Sequence, residues 1–448
     1  MRRRFAFVGL FVLLFALGWW AGRGRASTDL YSRLDVFVEV LEKVRDGYVQ
    51  PVDPEKLIHG AITGMLHDLD PYAEYRADAA TRGDAKSAGR ADAGISLGSR
   101  GGTWTVIAPV PGGPAERAGV RAGDLLLQVD GLSTGSWTLR EASESLRGAS
   151  GSTVKLSVLH DGDDAPKTIA VQRENPHAAP APLVIAGPEG VGYLRLAGID
   201  ANSAADVRRA IAALRARGVR RLALDVRQCA TGLASDGAQV AELFLPRGTT
   251  LMRTHGRMRA EDERLEAAAS DPELGWPMAV LADGSTAGAA EVLAGALQDA
   301  DRALIVGART FGFGSVQTDV PLPGGDRVIS LTTAVRETPS GRPIQNVAAL
   351  VEDDGEDDSA PDSAQTAAGR QSFRTAAGRR IEGGGGIAPD LESDAEHITT
   401  ALPADTTAAG RARLTSDPAI QRAFDALERA HAPRDVYAGL RAAGEPAR

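Results

Sequence analysis

The chain has 448 residues, of which 43% are hydrophobic and 24% are charged, and it carries a formal net charge of −9. This composition is ordinary for a folded protein of more than one domain, and the negative charge argues against nucleic acid as the main partner. Cys229 is the single cysteine, which excludes an intrachain disulfide and a multi-cysteine metal site. The seven histidines form no zinc-binding motif, so we predict neither a metal nor another cofactor.

The N-terminus combines a basic flank with an apolar segment. "MRRR" precedes "FAFVGLFVLLFALGWWAG", residues 5–22, which is uncharged. At about 1.5 Å per residue this segment just crosses a hydrocarbon core of roughly 30 Å. Residues 1–26 are therefore predicted to anchor the chain in the inner membrane, and the positive-inside rule places the bulk of the chain outside the cytoplasm, in the periplasm. The alternative is a signal peptide cleaved after the small residues Gly24 and Ala26, which would release a secreted protein.

Two regions separate the N-terminal apolar segment from the first predicted globular domain. Residues 27–76 carry apolar residues at helical spacing and are predicted to form helices. Residues 77–92 are polar and weakly patterned, which favours a mobile loop. From 93 to 173, short strands alternate with Gly-rich turns and one helix, and the linker "NPHAAPAPL" comes next. Residues 93–173 are therefore predicted to form a separate domain.

The remainder of the chain alternates strands and helices. The strands "VGYLRL", "RRLALDV", "MAVLAD" and "RALIVG" are separated by predicted helices at 202–218, 236–245 and 286–299, which indicates an α/β core over residues 184–400. Within it, residues 352–371 are acidic and lack large apolar groups, so a disordered insertion is expected. Residues 401–448 are predicted to form a helical tail. The helical ends of the chain are suited to contacts in a homo-oligomer, whose stoichiometry stays open.

The sequence "PGGPAERAGVRAGDLLLQVDG" (111–131), followed by the amphipathic "TLREASESLRG" (138–148), resembles a PDZ domain of the circularly arranged bacterial type. The resemblance implies that an unstructured polypeptide C-terminus binds as an added strand. It implies a carboxylate held by three backbone amides and an apolar pocket beside them. The implied peptide-binding residues are Gly94, Ile95, Ser96, Leu97, Ala142 and Leu146. For Leu146, ordinary core packing is the alternative.

A wider resemblance covers residues 30–391. It rests on "YVQPVDPEKLIHGAITGMLHDLDPYAEY", "AEVLAGALQDADRALIVGARTFGFGSVQTDVPLPGG", "LTTAVRETPSGRPIQ" and "GRRIEGGGGIAPDLE". These segments resemble the carboxyl-terminal processing peptidases of family S41, including their inserted PDZ domain. The resemblance implies a ClpP/crotonase-like α/β core. It also implies cleavage of unstructured polypeptides near their C-termini by a Ser/Lys dyad that a Gln supports.

The catalytic positions of that family are altered in this chain. The family's "Ser-Ala-Ser-Ala-Ser-Glu" stands here as "TAGAAE", which puts Gly288 at the position of the nucleophile. Phe313 stands at the position of the dyad lysine, Gln317 is retained, and Gly232 is all that remains of the "Asn-Pro-Gly-Gly" oxyanion loop. A serine hydroxyl needs a base to take its proton, yet no lysine follows Lys167. We therefore expect an inactive homologue that binds polypeptide C-termini, as an adaptor, a decoy or the partner of an active homologue.

The alternative is an active serine-type endopeptidase with a relocated catalytic set, cleaving unfolded proteins near their C-termini. Ser285 and His255 form the conceivable pair, although His255 lies in the polar segment "THGRMRAEDERLEAA", which is typical of an exposed stretch. Cys229 is a further candidate nucleophile, but its place after an apolar strand favours a small apolar filler.

Overall fold

The computed structural model describes residues 31, 33–76, 90–175, 180–268, 275–324, 327–346, 371–393 and 408–437. The predicted membrane segment, residues 77–89 of the predicted loop and residues 352–370 of the acidic insertion lie outside the described residues. Among the helices that are described, none has the length and apolar character needed to span a bilayer. The chain divides into two compact units, Met1–Met65 and Leu66–Arg448.

The described part of the first unit is helical. α1 covers residues 33–47, and α2 covers Pro54–His67, whose last residues belong to the second unit. The predicted Asp-Pro start of the second helix is present, because the Asp53 carboxylate accepts a hydrogen bond of 3.0 Å from the Glu55 backbone N–H.

The second unit begins with β1 (Glu74–Arg76) and continues into a small antiparallel sheet with two helices. The elements of this sheet region are β2 (Ile95–Arg100), β3 (Thr103–Pro109), α3 (Pro114–Ala118), β4 (Leu125–Val129), β5 (Leu132–Ser133), α4 (Leu139–Leu146), β6 (Thr153–Leu159) and β7 (Lys167–Gln172). The strand order is β2-β3-β4-β6-β7, with β5 beside β4. Hence β2 is an edge strand. A capping box fixes the start of α4, since Thr138 accepts from the Glu141 N–H and Glu141 accepts from the Thr138 N–H.

The predicted β/α alternation is confirmed in the core. Its elements are β8 (Leu183–Ala186), β9 (Val191–Arg195), α5 (Ser203–Ala216), β10 (Arg221–Asp225), α6 (Ala234–Glu242), β13 (Met278–Ala282), α7 (Ala289–Asp299), β14 (Leu304–Gly307) and β19 (Leu391–Glu392). The strands form one sheet in the order β19-β14-β13-β10-β9-β8, parallel except for β8. α5, α6 and α7 pack on one face of this sheet.

A second sheet lies in the same unit. It contains β1 together with β11 (Thr250–Gly256), β12 (Glu263–Glu266), β15 (Ser315–Pro321) and β16 (Val328–Glu337), in the order β1-β16-β11-β12 with β15 on β16. The hairpin β17 (Ser372–Arg374) and β18 (Arg380–Glu382) precedes β19.

The C-terminal helices α8 (Ala408–Ser416) and α9 (Pro418–Glu428) follow the core sheet in sequence. α9 covers the second face of the sheet, with Phe424 and Leu427 buried against strand residues such as Tyr193 and Leu304. The sheet is therefore covered on both faces, which explains strands such as "MAVLA" that are buried at every position.

α7 is buried along its whole length, and its small residues allow close backbone contacts. A Cβ at Gly237 of α6 would lie 2.0 Å from the Ala289 carbonyl oxygen, so glycine is required where α6 meets the start of α7. The sequence predicted this helix from 286 to 299, but it begins three residues later. The reason is the backbone of Gly288, whose φ of +58° does not continue a right-handed helix.

Candidate functional site

Three loops converge at the carboxyl ends of the parallel strands, where ligands bind in open α/β sheets. They follow β10, β13 and β14, and they carry Gly232, Gly288 and Phe313 respectively. The site implied by the family resemblance is therefore assembled from segments far apart in sequence.

Gly288 ends the loop before α7 with φ +58° and ψ −110°, a conformation that side-chain-bearing residues rarely adopt. A Cβ at this position would have Phe313 Cδ1 as its nearest neighbour, at 3.9 Å. The structure thus brings the two substituted positions face to face. It offers room for a side chain at 288, but the group opposite is a phenyl ring.

The buried carboxylate of Glu291 holds both positions in place. Its Oε2 accepts hydrogen bonds from the backbone N–H of Gly288 at 2.9 Å and of Phe313 at 2.8 Å. Its Oε1 accepts from the Thr310 hydroxyl at 2.5 Å and from the Gly312 N–H at 2.7 Å. Burial raises the pKa of Glu291 to about 6, although these donors oppose the shift. One side chain therefore fixes the geometry of the implied dyad.

Two phenylalanines lie at the site. Phe311 is 5% exposed and packs with Ile107 and Ala287. Phe313 is half-buried, and its ring meets the ring of Tyr72 edge-on, with 5.6 Å between centroids. Apolar rings thus stand where the family resemblance implies a buried amine.

Gly232 and Gln317, the two residues that match the family motif, differ in their surroundings. Gly232 has φ +102°, and a Cβ there would lie 2.4 Å from the Ile199 carbonyl oxygen, so only glycine fits. Gln317 is exposed on β15, where its amide nitrogen donates to the hydroxyls of Ser315 and Thr332 at 3.2 and 3.0 Å. The amide of Gln317 is therefore engaged with its own sheet.

An ion-pair network supports the loop that contains Gly232. Arg227 is 1% exposed and pairs with Asp225 at 2.6 Å and with Asp417 at 2.8 Å. Asp417 also caps α9 by accepting from two backbone N–H groups. The C-terminal helix is thereby tied to the start of the implied oxyanion loop.

The implied peptide-binding residues lie at the edge and in the interior of the PDZ-like sheet. Ile95, Ser96 and Leu97 begin the edge strand β2. Leu97, Ala142 and Leu146 are 8%, 0% and 3% exposed and belong to the hydrophobic core of this domain. All three side chains are therefore packed in the domain interior, in one cluster with Tyr72.

Gly94 precedes this edge strand with φ +70°. Its backbone N–H, implied to hold a ligand carboxylate, donates instead to the side chain of Asp92 at 2.7 Å. An extra Cβ would lie 3.1 Å from Pro114 Cδ, which adds close contact to the backbone preference for glycine.

A cavity of about 450 Å³ opens between the PDZ-like domain and the core. It is lined by Arg100 and His160 from the first and by Gln228, Ser285 and Phe311 from the second. His160 is 6% exposed, and its Nδ1 lies 2.6 Å from Asp124 Oδ1.

His255 lies elsewhere. It is 66% exposed on β11 and pairs with Asp262 at 3.2 Å, as expected for a polar segment. Ser285 lines the cavity with His160, and no hydrogen bond within the described ranges joins Ser285 to either histidine. The Ser285/His255 pair considered from sequence is therefore not brought together.

Cys229 is fully buried in the main hydrophobic core. Burial raises the pKa of its thiol to about 12, which disfavours the reactive thiolate. This packing agrees with the expectation that Cys229 fills space in the apolar core. In the described part of the chain, no group of three or more His, Cys, Asp or Glu side chains is placed to hold a metal ion.

Sequence reasoning missed three of these residues: Glu291, Tyr72 and His160. Glu291 carried a usable signal, because it is the one charged residue in the small apolar stretch "AGAAEVLAGAL". A carboxylate in such a stretch is costly to bury unless it is fully hydrogen-bonded. Tyr72 and His160 carried none, since their roles depend on contacts with distant segments.

Comparison with known proteins supports the resemblance to family S41. Residues 190–355 match Peptidase family S41, residues 105–159 match a PDZ domain, and residues 22–81 match the Activating protease CtpB N-terminal domain. A carboxy-terminal-processing protease of Bartonella bacilliformis is 35% identical over 326 residues, which cover 71% of this chain and 74% of that protein. The chain belongs to peptidase family S41.

Other S41 relatives agree. The chloroplastic C-terminal processing peptidase of Tetradesmus obliquus is 34% identical, covering 68% of this chain and 70% of that protein. The solved structure of a photosystem II D1 C-terminal processing protease superposes with a TM-score of 0.62 at 26% identity, covering 88% of this chain and 91% of the other. The predicted fold, an S41-type α/β core with a PDZ domain, is confirmed.

Proposed function

We propose that this S41 homologue binds polypeptides without cleaving them. The observation that carries the proposal is the pairing at the implied dyad: a glycine at 288 faces a phenyl ring at 313, with 3.9 Å between the ring and the point that a Cβ at 288 would occupy. Neither group can attack a carbonyl or accept a proton from a nucleophile. No lysine follows Lys167 in the sequence to replace the amine.

The chemistry of serine peptidases explains the size of the expected loss of turnover. Removal of a serine-peptidase nucleophile or of its base costs on the order of 10⁴–10⁶ in turnover. A half-buried ring at 313 needs no hydrogen-bond partner, unlike a buried amine, so the altered site loses reactivity without leaving an unpaired polar group. Polypeptide binding through the PDZ domain, at the C-terminus of the ligand, requires neither a nucleophile nor a base.

The first test is a cleavage assay. The purified chain is incubated with an unfolded casein substrate and with a fluorophosphonate probe, and we expect neither fragments nor labelling. The double variant Gly288→Ser/Phe313→Lys is the informative comparison, because it returns the two implied dyad groups to facing positions. Cleavage by the unaltered chain would refute the proposal.

A second candidate is an active peptidase with a relocated catalytic set. One observation favours it: Ser285 shares a cavity with His160, whose Nδ1 is held by the buried Asp124. In that chemistry the Ser285 hydroxyl oxygen attacks the peptide carbonyl, and His160 passes the serine proton to the departing amine. Water then releases the acyl group. Because Ser285 and His160 are not hydrogen-bonded to each other, the first proposal has the stronger support.

Amino-acid substitutions distinguish the two candidate functions. Ser285→Ala and His160→Gln would abolish any cleavage under the second candidate. His255→Ala is the matched control, since that ring is exposed on β11. If cleavage occurs and survives both Ser285→Ala and His160→Gln, the relocated set is wrong.

The location and partners of the chain are also proposed. We propose a membrane tether through residues 5–22, which lie outside the described residues, with the bulk of the chain in the periplasm. We further propose that the chain acts beside an active homologue or as a homo-oligomer. Membrane fractionation with and without residues 1–26 tests the tether, and release of both forms into the soluble fraction would contradict it.

A further inference from the structure

The edge strand β2 offers unpaired backbone groups to a ligand. In the order β2-β3-β4-β6-β7, no described strand lies on its outer side. Edge strands present free N–H and C=O groups, and an extended peptide can pair with them. α4 packs beside β2, so an added strand would lie between these two elements.

Tyr72 already lies on this edge. Its hydroxyl oxygen accepts a hydrogen bond from the Ser99 backbone N–H at 3.4 Å, and its side chain is only 6% exposed. Its ring meets Trp104 at 6.5 Å and Phe313 at 5.6 Å between centroids, both edge-on. Tyr72 thus uses a backbone donor that an incoming strand would need.

The segment around Tyr72 is held on both sides. Asp70 accepts hydrogen bonds from the backbone N–H groups of Tyr72 and Ala73 at 2.7 and 2.9 Å, which fixes the turn that presents the ring. Glu74 then pairs with Arg140 of α4 at 2.6 Å. The segment therefore reaches from β2 towards α4, the two walls between which a ligand would bind.

The packing of the domain indicates which side chain in this cleft a ligand could replace. The implied pocket residues Leu97, Ala142 and Leu146 are buried in the hydrophobic cluster of the domain. The Tyr72 ring belongs to the same cluster but comes from outside the sheet. Its hydrogen bond of 3.4 Å is long, so a ligand that replaces the Tyr72 side chain must mainly replace the packing of the ring.

We propose that Tyr72 is an intramolecular ligand of the PDZ edge strand, and that polypeptides bound there carry an aromatic side chain that replaces its ring between Trp104 and Phe313. A backbone carbonyl of the ligand takes the place of the Tyr72 hydroxyl at the Ser99 N–H. This inference rests on the proposed binding of polypeptides by the PDZ domain.

The test measures peptide affinity by fluorescence anisotropy with the full chain. The probes are two short fluorescein-labelled peptides that differ only in a Tyr or a Ser near the C-terminus. Tyr72→Ala removes two ring pairs and a hydrogen bond, so the Tyr peptide should bind about tenfold more tightly than to the unaltered chain. Tyr72→Phe removes the hydrogen bond alone and should give a gain of about threefold. Tyr75→Phe, a hydroxyl deletion on strand β1 of the second sheet, is the matched control and should leave the peptide affinity unchanged.

Amide exchange provides a readout that needs no ligand. The Ser99 N–H should exchange faster in Tyr72→Phe, which keeps the ring and the packing, and at the unaltered rate in Tyr75→Phe. Unchanged exchange at Ser99 would overturn the inference, because the hydrogen bond would then have no effect on this edge.

The binding outcomes distinguish the two proposals. If the unaltered chain and Tyr72→Ala bind the Tyr peptide equally, the intramolecular ligand is refuted while peptide binding stands. Equal affinity of Tyr72→Ala for the Tyr and Ser peptides refutes the aromatic preference. If no variant binds either peptide, the proposed function fails, and this inference fails with it.

Discussion

Substitution of Glu291 by Gln tests whether one carboxylate holds the implied dyad positions together. In the unaltered chain the carboxylate accepts hydrogen bonds from the backbone N–H groups of Gly288, Gly312 and Phe313 and from the Thr310 hydroxyl. Glutamine keeps one acceptor oxygen but replaces the other by an NH₂ group, which cannot accept. If the remaining oxygen faces Gly288 and Phe313, the N–H of Gly312 loses its partner.

The expected loss of stability follows from these hydrogen bonds. The Thr310 hydroxyl loses the acceptor for its proton at the same time, while its oxygen keeps the hydrogen bond from the Ile387 N–H at 2.7 Å. A buried donor without a partner costs about 1–3 kcal/mol. We therefore expect Glu291→Gln to lower the free energy of unfolding by about 1–3 kcal/mol.

Urea unfolding followed by tryptophan fluorescence measures this change, and amide exchange at Gly312 and Phe313 locates it. Glu428→Gln is the control, because Glu428 is exposed on α9 and should change stability by less than about 0.5 kcal/mol. A loss below about 1 kcal/mol for Glu291→Gln, with unaltered exchange at both amides, would refute the account of this carboxylate as the support of the site.

Three further predictions follow from the same geometry. Gly288→Ser should lower stability by about 1–3 kcal/mol in urea unfolding, because its Cβ has room but its φ of +58° is strained for serine; a neutral result would contradict the strain. Asp417→Ala should cost about 2–4 kcal/mol, since it removes the cap of α9 and one hydrogen bond of the buried Arg227, whose charge Asp225 still balances, and an equal loss in the exposed control Asp425→Ala would rule this reason out. Burial raises the pKa of Glu291 from 4.5 to about 6, so the folded state holds this proton more tightly than the unfolded chain. The resulting stability, about 2 kcal/mol, should be complete below pH 4.5 and lost as the pH rises to 6, and Glu291→Gln should lack this pH dependence in unfolding midpoints.

Local patterns determined much of the fold. The strand "VGYLRL" was predicted at residues 191–196, and β9 covers Val191–Arg195, because an apolar run bounded by turns acts within a single strand. The order of strands and helices in the core followed from hydrophobic period in the same way. The resemblance to the family motif also predicted from the sequence that Gly288 and Phe313 stand at the implied dyad positions.

The contacts between distant segments were decided by tertiary packing. Tyr72 meets Phe313, and His160 shares a cavity with Ser285 while His255 does not, although no pattern near any of these residues distinguishes them. The amino-acid sequence by itself determined the family, the order of the elements and the presence of glycine and phenylalanine at the implied dyad positions. Only the tertiary structure decided which side chains pack at these positions and at the PDZ edge. Partners far apart in sequence are chosen by the way sheets and helices pack, and local propensity carries no information about that choice.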